Sequence, residues 1–205
     1  MSNLDEIVAK IQERLDEKDT VREIAIKSSR ATTRLASGVV HGIHKKEDVE
    51  NLMAETMDES QRLKSLLNEH PDIWHSGIVQ DALQEVAEAA IVLTITKGQD
   101  LPEPDELDIP VTAYLMGFAD AIGELRRFAL EALREGRNED AVRYLEMMEE
   151  MFLILMKFDY PDAIVSIRRK QDIARSVLEK TRGEVAVAVS MRRLENKLTS
   201  LDRKL

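Results

Sequence analysis

Hydrophobic and polar positions alternate with helical periodicity along almost the whole chain. In "DALQEVAEAAIVLTITKG", residues 81 to 98, Ala82, Val86, Ala89 and Leu93 recur at the three- and four-residue spacing of a core-facing stripe. The same pattern predicts a first helix from Ser2, a good N-cap, to about Lys18, and a second, capped by Asp19 or Thr20, reaching about Lys46. "KKEDVENLMAETMDESQRLKSLLNEHP" predicts a third helix ended by Pro71, and the 81–98 stretch is the fourth. After the polar, proline-rich "GQDLPEPDELDIP", a fifth helix starts near Pro110, which suits a first-turn position, and reaches Arg134, where Gly136 stops it. Asn138 caps a sixth through about Phe158, and Pro161 opens a seventh that continues past Gly183. "IVLTIT" is β-branched enough for a strand, but it lies inside a helical pattern. No internal repeat and no long linker interrupts the chain. The expected architecture is all-α, a single domain over residues 1–205 with about seven helices.

Composition narrows the function classes. A chain of 205 residues with 43% hydrophobic content supports one substantial core. The absence of cysteine excludes disulfides and thiolate metal sites. "MSNLDEIVAK" lacks the pattern of a secretory signal, and the apolar runs are far below membrane-spanning length, so a soluble, cytoplasmic protein with no membrane partner is expected. A formal net charge of −10 argues against a simple basic nucleic-acid binder, but the charge is unevenly placed. Residues 47 to 110 hold 3 Lys/Arg against 16 Asp/Glu, and residues 163 to 205 hold 11 against 5. Between Arg22 and Lys46, six basic residues face one acid, and Lys27, Arg30, Arg34, His41 and Lys45 fall in a narrow angular band. Such a band is either a solvated face beside a core stripe or a track for the repeating charge of a polyanion.

Several carboxylates sit beside apolar stripes. Glu85 and Glu88 lie three apart on the shoulder of the 81–98 stripe, and Glu124 shares a face with Ala113, Gly117, Ala121 and Phe128. Glu150 precedes a stretch that is apolar on nearly every side, although it lies away from the Met148, Phe152 and Leu155 stripe. A buried, isolated carboxylate is costly. Either each pairs with an arginine such as Arg126, Arg127 or Arg143 or reaches solvent, or several converge on a divalent cation, for which all-oxygen ligands suit Mg²⁺ or Mn²⁺.

Two segments resemble the translin/Trax family. "REIAIKSSRATTRLASGVVHGIHK" is similar to the family's second-helix pattern, and "YLMGFADAIGELRRFALEALREGRNEDA" to its Gly-Glu-Leu-x-Arg segment and following turn. "IRRKQDIARSVLEKTRG" resembles its C-terminal Lys-rich helix, so that the resemblance spans about Arg22 to Gly183. "LQEVAEA" is similar to the Trax pattern in which two glutamates are catalytic, which carries over to Glu85 and Glu88; Glu124 falls on the Glu of Gly-Glu-Leu, and Glu150 stands where Trax has an Asp. The resemblance implies a metal-dependent endoribonuclease of the catalytic Trax type, with Mg²⁺ or Mn²⁺ held by Glu85, Glu88, Glu124 and Glu150, acting inside a closed homo-oligomer, an octamer. It further implies that Lys27, Arg30, Arg34, Arg168, Arg169, Lys170 and Arg182 bind RNA, single-stranded or as a short duplex. The competing expectation is a non-catalytic, translin-like binder of single-stranded nucleic acid.

Overall fold

In a computed structural model, which describes residues 3–202, the chain is all-α, and no strand occurs among the described residues. The helices are α1 (Leu4–His44), α2 (Glu50–Leu66), α3 (Pro71–Trp74), α4 (Gly77–Lys97), α5 (Val111–Arg134), α6 (Asn138–Leu155) and α7 (Arg168–Asp202). The chain groups into two compact units, Met1–Tyr114 and Leu115–Leu205. Among the described residues no helix is long and apolar enough to cross a membrane.

The predicted break near Asp19 is absent, and the first two expected helices form one helix of 41 residues. No Gly or Pro interrupts residues 4–37. Thr20 does not cap: its Oγ1 donates back to the Asp16 carbonyl at 2.8 Å, a bond made inside a continuing helix. Asp and Thr cost only about 0.7 kcal/mol each relative to Ala in a helix interior, too little to stop it. The seventh helix begins at Arg168 instead of Pro161. The run Ile164–Val165–Ser166–Ile167 is rich in β-branched side chains, which resist the helical turn, and it buries Val165 and Ile167 in a connection of tight turns. Arg137, not Asn138, occupies the N-cap of α6. Gly136 ends α5 as expected, in the left-handed region at φ 74°, and Gly98 ends α4 likewise at φ 66°, whereas Pro71, the expected stop of the third helix, opens α3 after α2 has ended at Leu66.

In the first unit, α1 packs on α4 and α2 through Ala25, Ser29, Thr32, Ala36, Val39 and Gly42. These side chains are small, so the neighbouring backbones come close. A Cβ on Gly38 would stand 3.2 Å from Leu52 Cδ2, and one on Gly42 only 2.4 Å from Val49 Cγ1. α4 is buried nearly all round, with Val79, Leu83, Val86, Ile91 and Val92 fully inaccessible. Burying an aliphatic side chain of this size contributes roughly 1.5–3 kcal/mol. Ion pairs fasten the periphery: Lys18 to Asp72, Lys64 to Asp108, and Lys97 to Glu50 at 2.6 Å.

The second unit packs α6 on α7. Phe128 of α5 stacks on Tyr144 of α6 at 5.5 Å, above a small-residue cluster of Ala132, Ala141 and Val185. Arg126 of α5 grips α7, donating to Thr181 Oγ1 at 2.8 Å and to both carboxylate oxygens of Glu184 at 2.8 and 3.1 Å. Buried Gln171 closes the end of α6 by donating to the carbonyls of Leu155 and Phe158, at 3.0 and 2.8 Å. Intrahelical donors run out at this end of α6, where only the Phe158 N–H reaches the Leu155 carbonyl, at 3.3 Å, and the amide adds the missing donors.

Two predictions follow from these contacts. Gly42→Ala forces a methyl into Val49 and lowers stability by about 1–3 kcal/mol, as overpacking does. Gly183→Ala in α7, where an added Cβ meets nothing within 4 Å, leaves stability unchanged or raises it by up to ~1 kcal/mol. Denaturant melts of the two variants check this, and a Gly42→Ala protein as stable as wild type contradicts the close α1–α2 approach. The Lys18 ammonium, hydrogen-bonded to Asp72, holds that carboxyl below its ordinary value, with desolvation opposing it. A depressed carboxylate stabilises the fold above its unfolded-state pKa of about 3.9 and loses that contribution as pH falls through the folded value. NMR titration of Asp72 therefore gives a midpoint below 3.9 that returns toward it in Lys18→Ala; an unshifted midpoint in the wild type contradicts the pair.

Candidate functional site

The helical phase of α1 separates two faces. Ala25, Ser29, Thr32, Ala36 and Val39 point to the core, and Lys27, Arg30, Arg34, Ser37 and His41 lie along the opposite side at alternating spacings of three and four. Lys27, Arg30, Arg34 and His41 are exposed. Lys27 to Arg34 spans roughly 10 Å of helix axis at 1.5 Å per residue, so three cations stand in a short row. Among the described residues none of these three has an ion-pair partner.

Glu85 and Glu88 are half-buried on the flank of α4, where the buried Val86, Ala89 and Val92 fix the helix's rotation. Ser37 Oγ, in line with the cationic row, donates to Glu85 Oε2 at 3.3 Å. One end of the basic face of α1 therefore meets the acidic flank of α4. Ser37 is absent from the residues expected from sequence. Its signal was present in the spacing 27–30–34–37–41, but a serine in a row of cations announces nothing until the acid across from it is known. Neither Glu85 nor Glu88 is without a partner.

The other two expected acids lie in the second unit. Glu124, half-buried on α5, has Arg127 Nη1 at 3.8 Å one turn on, the arginine pairing that its sequence context allows. Glu150 is exposed on α6, and its neighbour Glu149 takes Arg182 Nη2 at 2.7 Å. Among the described residues no three His, Cys, Asp or Glu side chains gather in a way that could hold a metal ion. The donor chemistry of the four glutamates fits Mg²⁺ or Mn²⁺.

The C-terminal basic residues differ from those on α1. Lys170 is half-buried and paired with Asp120, and Arg182 is held by Glu149. Arg168 reaches Asp159 at 3.5 Å, and Arg169 is exposed. Three of these four are therefore paired with acids, whereas Lys27, Arg30 and Arg34 present their charge to solvent.

A family model described as the Translin family matches residues 10–193, a span that includes parts of both compact units. A Methanocaldococcus jannaschii relative, "Uncharacterized protein MJ0175", is 36% identical over 187 residues, covering 90% of this chain and 83% of that protein. Among solved structures, an AfC3PO–duplex RNA complex superposes with a TM-score of 0.83 at 32% identity, covering 90% of this chain and 97% of that one. The crystal structure of AfC3PO gives 0.81 at 32% identity, with 90% and 98% covered. Apo-NeC3PO, at 20% identity and a TM-score of 0.77 over 88% and 96%, shares the fold. With the all-α order, the "GELRR" segment on α5 and a family match that runs from α1 into α7, the chain belongs to the translin family.

Proposed function

We propose that this chain is an RNA-binding protein of the catalytic Trax type, cleaving RNA phosphodiesters with Mg²⁺ or Mn²⁺ inside a homo-oligomer, an octamer. The observation that carries this reading is the Ser37–Glu85 contact, where the α1 cation row runs into the half-buried acids of α4. The pattern "LQEVAEA", which resembles the catalytic Trax segment, supplies those two acids. The similar AfC3PO structure that contains duplex RNA supports RNA as the ligand.

In this proposal Lys27, Arg30 and Arg34 hold successive phosphates, and Ser37 orients Glu85 toward the strand lying on them. Arg168 and Arg169 add charge from α7, while Lys170 and Arg182 contribute chiefly by fixing that helix. Glu85, Glu88, Glu124 and Glu150 would hold the metal, and Glu150 in place of the Trax Asp reaches one methylene further. The ion, when bound, would activate a water and neutralise charge on the leaving oxygen. Recognition is directed at the backbone, because aromatics are only 4% of the chain and offer few stacking platforms.

A second reading, a non-catalytic binder of single-stranded nucleic acid, is favoured by one finding: no three acids assemble among the described residues. Two experiments separate the readings. In binding titrations on short RNA, each of Lys27→Ala, Arg30→Ala and Arg34→Ala weakens affinity evenly across sequences and lowers the log–log salt slope by about 0.7–0.9. Variants with wild-type affinity and slope would remove the α1 track. In cleavage assays, Mg²⁺ or Mn²⁺ supports turnover, EDTA stops it, and Glu85→Gln or Glu88→Gln lowers the rate at least ~100-fold with binding retained. Tight binding with no cleavage by the wild type under any metal establishes the binder instead.

A further inference from the structure

The second unit holds an exposed arginine that is positioned by a ring and not by an acid. The Arg143 side chain on α6 is 64% exposed, and its one ion pair among the described residues is a loose contact with Asp140 at 3.9 Å. Asp140 is shared with Arg137, which holds it more closely. The guanidinium of Arg143 instead lies over the Tyr144 ring, 5.4 Å from its centroid. That ring is in turn stacked on Phe128 of α5, with centroids 5.5 Å apart and planes inclined by 27°. Phe128 is buried, Tyr144 half-buried and Arg143 exposed, so the three groups lead from the core to the surface. Arg175, over the Phe152 ring at 5.9 Å, is different: it gives N–H groups to Asp172 at 3.4 Å and to Met156 Sδ at 3.9 Å.

We infer that Arg143, held on the Tyr144 ring, is a stacking contact for one unpaired nucleobase of the RNA proposed above. A guanidinium is planar and weakly hydrated, and backing by an aromatic ring orders it before any ligand arrives. Such a plane takes the face of a nucleobase as an aromatic side chain does. Its place in the fold suits that role. Phe128 follows Glu124 by one turn of α5, about 6 Å along the helix axis, so the platform is built on the face that carries one of the proposed metal-holding acids. That separation matches one or two nucleotides at the ~3.4 Å repeat of a strand. The contact selects for the presence of a base and not for its identity, because every base has a π-face. The inference rests on the RNA-binding reading and is independent of cleavage.

Fluorescence-anisotropy titrations of the full chain in EDTA test it. They compare a short single-stranded oligouridylate with an oligomer of the same length and phosphate count that carries abasic sites. Wild type binds the base-bearing strand more tightly, by roughly fivefold or more. Arg143→Lys keeps the charge but lacks the plane, so it loses this preference while its salt slope stays that of wild type. Lys27→Ala weakens both strands equally and keeps the preference. Tyr144→Phe, which removes only a hydroxyl that makes no hydrogen bond among the described residues, retains the preference, and Tyr144→Leu, which removes the support, loses it. Arg143 is exposed, so Arg143→Lys is expected to give wild-type circular dichroism. An equal preference in wild type and Arg143→Lys overturns the stacking contact and leaves the RNA-binding reading intact; a wild type that binds both strands alike does the same. A wild type that binds neither strand overturns that reading and this inference with it.

Discussion

The close packing of the small-residue face of α1 on α4 and α2 is the constraint on which the rest of the first unit depends. With Ala25, Ser29, Thr32 and Ala36 turned inward, the rotation of α1 is fixed. The cationic row of Lys27, Arg30 and Arg34 must then face outward, and Ser37 must fall beside Glu85. A larger residue at Gly42 would push α1 from α2, since Val49 already occupies the space a Cβ would need. The stripe therefore does two things: it excludes water from the core, and it sets the register between basic face and acidic flank.

Electrostatic placement resolves the apparent conflict between an acidic chain and the polyanionic ligand proposed for it. In residues 47 to 110, the 3 Lys/Arg are all engaged by acids: Arg62 with Glu59 at 3.6 Å, Lys64 with Asp108, and Lys97 with Glu50 at 2.6 Å. Lys27, Arg30 and Arg34 of α1 stand outside that segment with no ion-pair partner among the described residues. A phosphate backbone responds to local charge within a Debye length of about 8 Å at physiological salt, so a net −10 does not forbid a basic track.

Much of the helical architecture was readable before any coordinates, because its signals are local. Gly136 ends a helix where a left-handed residue is required, and the apolar stripe of residues 81–98 becomes the buried side of α4. The misplaced boundaries have a common cause. Asp19, Thr20 and Pro161 are all competent to start a helix, but competence to cap is weaker than the cooperativity of an uninterrupted helix or the burial of Val165 and Ile167. The short α3 escaped because four residues carry no period. The basic row was legible as a row; which of its neighbours it meets was not, since the Ser37–Glu85 contact joins residues 48 apart in sequence. Likewise Lys170 and Arg182 read as free charges until Asp120 and Glu149 appeared beside them.

The most direct measurement is anomalous diffraction from crystals of the protein grown with Mn²⁺ and a short non-cleavable RNA. The proposed arrangement places an anomalous peak on the carboxylates of Glu85 and Glu88, with consecutive phosphates of the strand on Lys27, Arg30 and Arg34 and the chain passing Ser37. RNA bound on another surface, with no manganese at those glutamates, contradicts it.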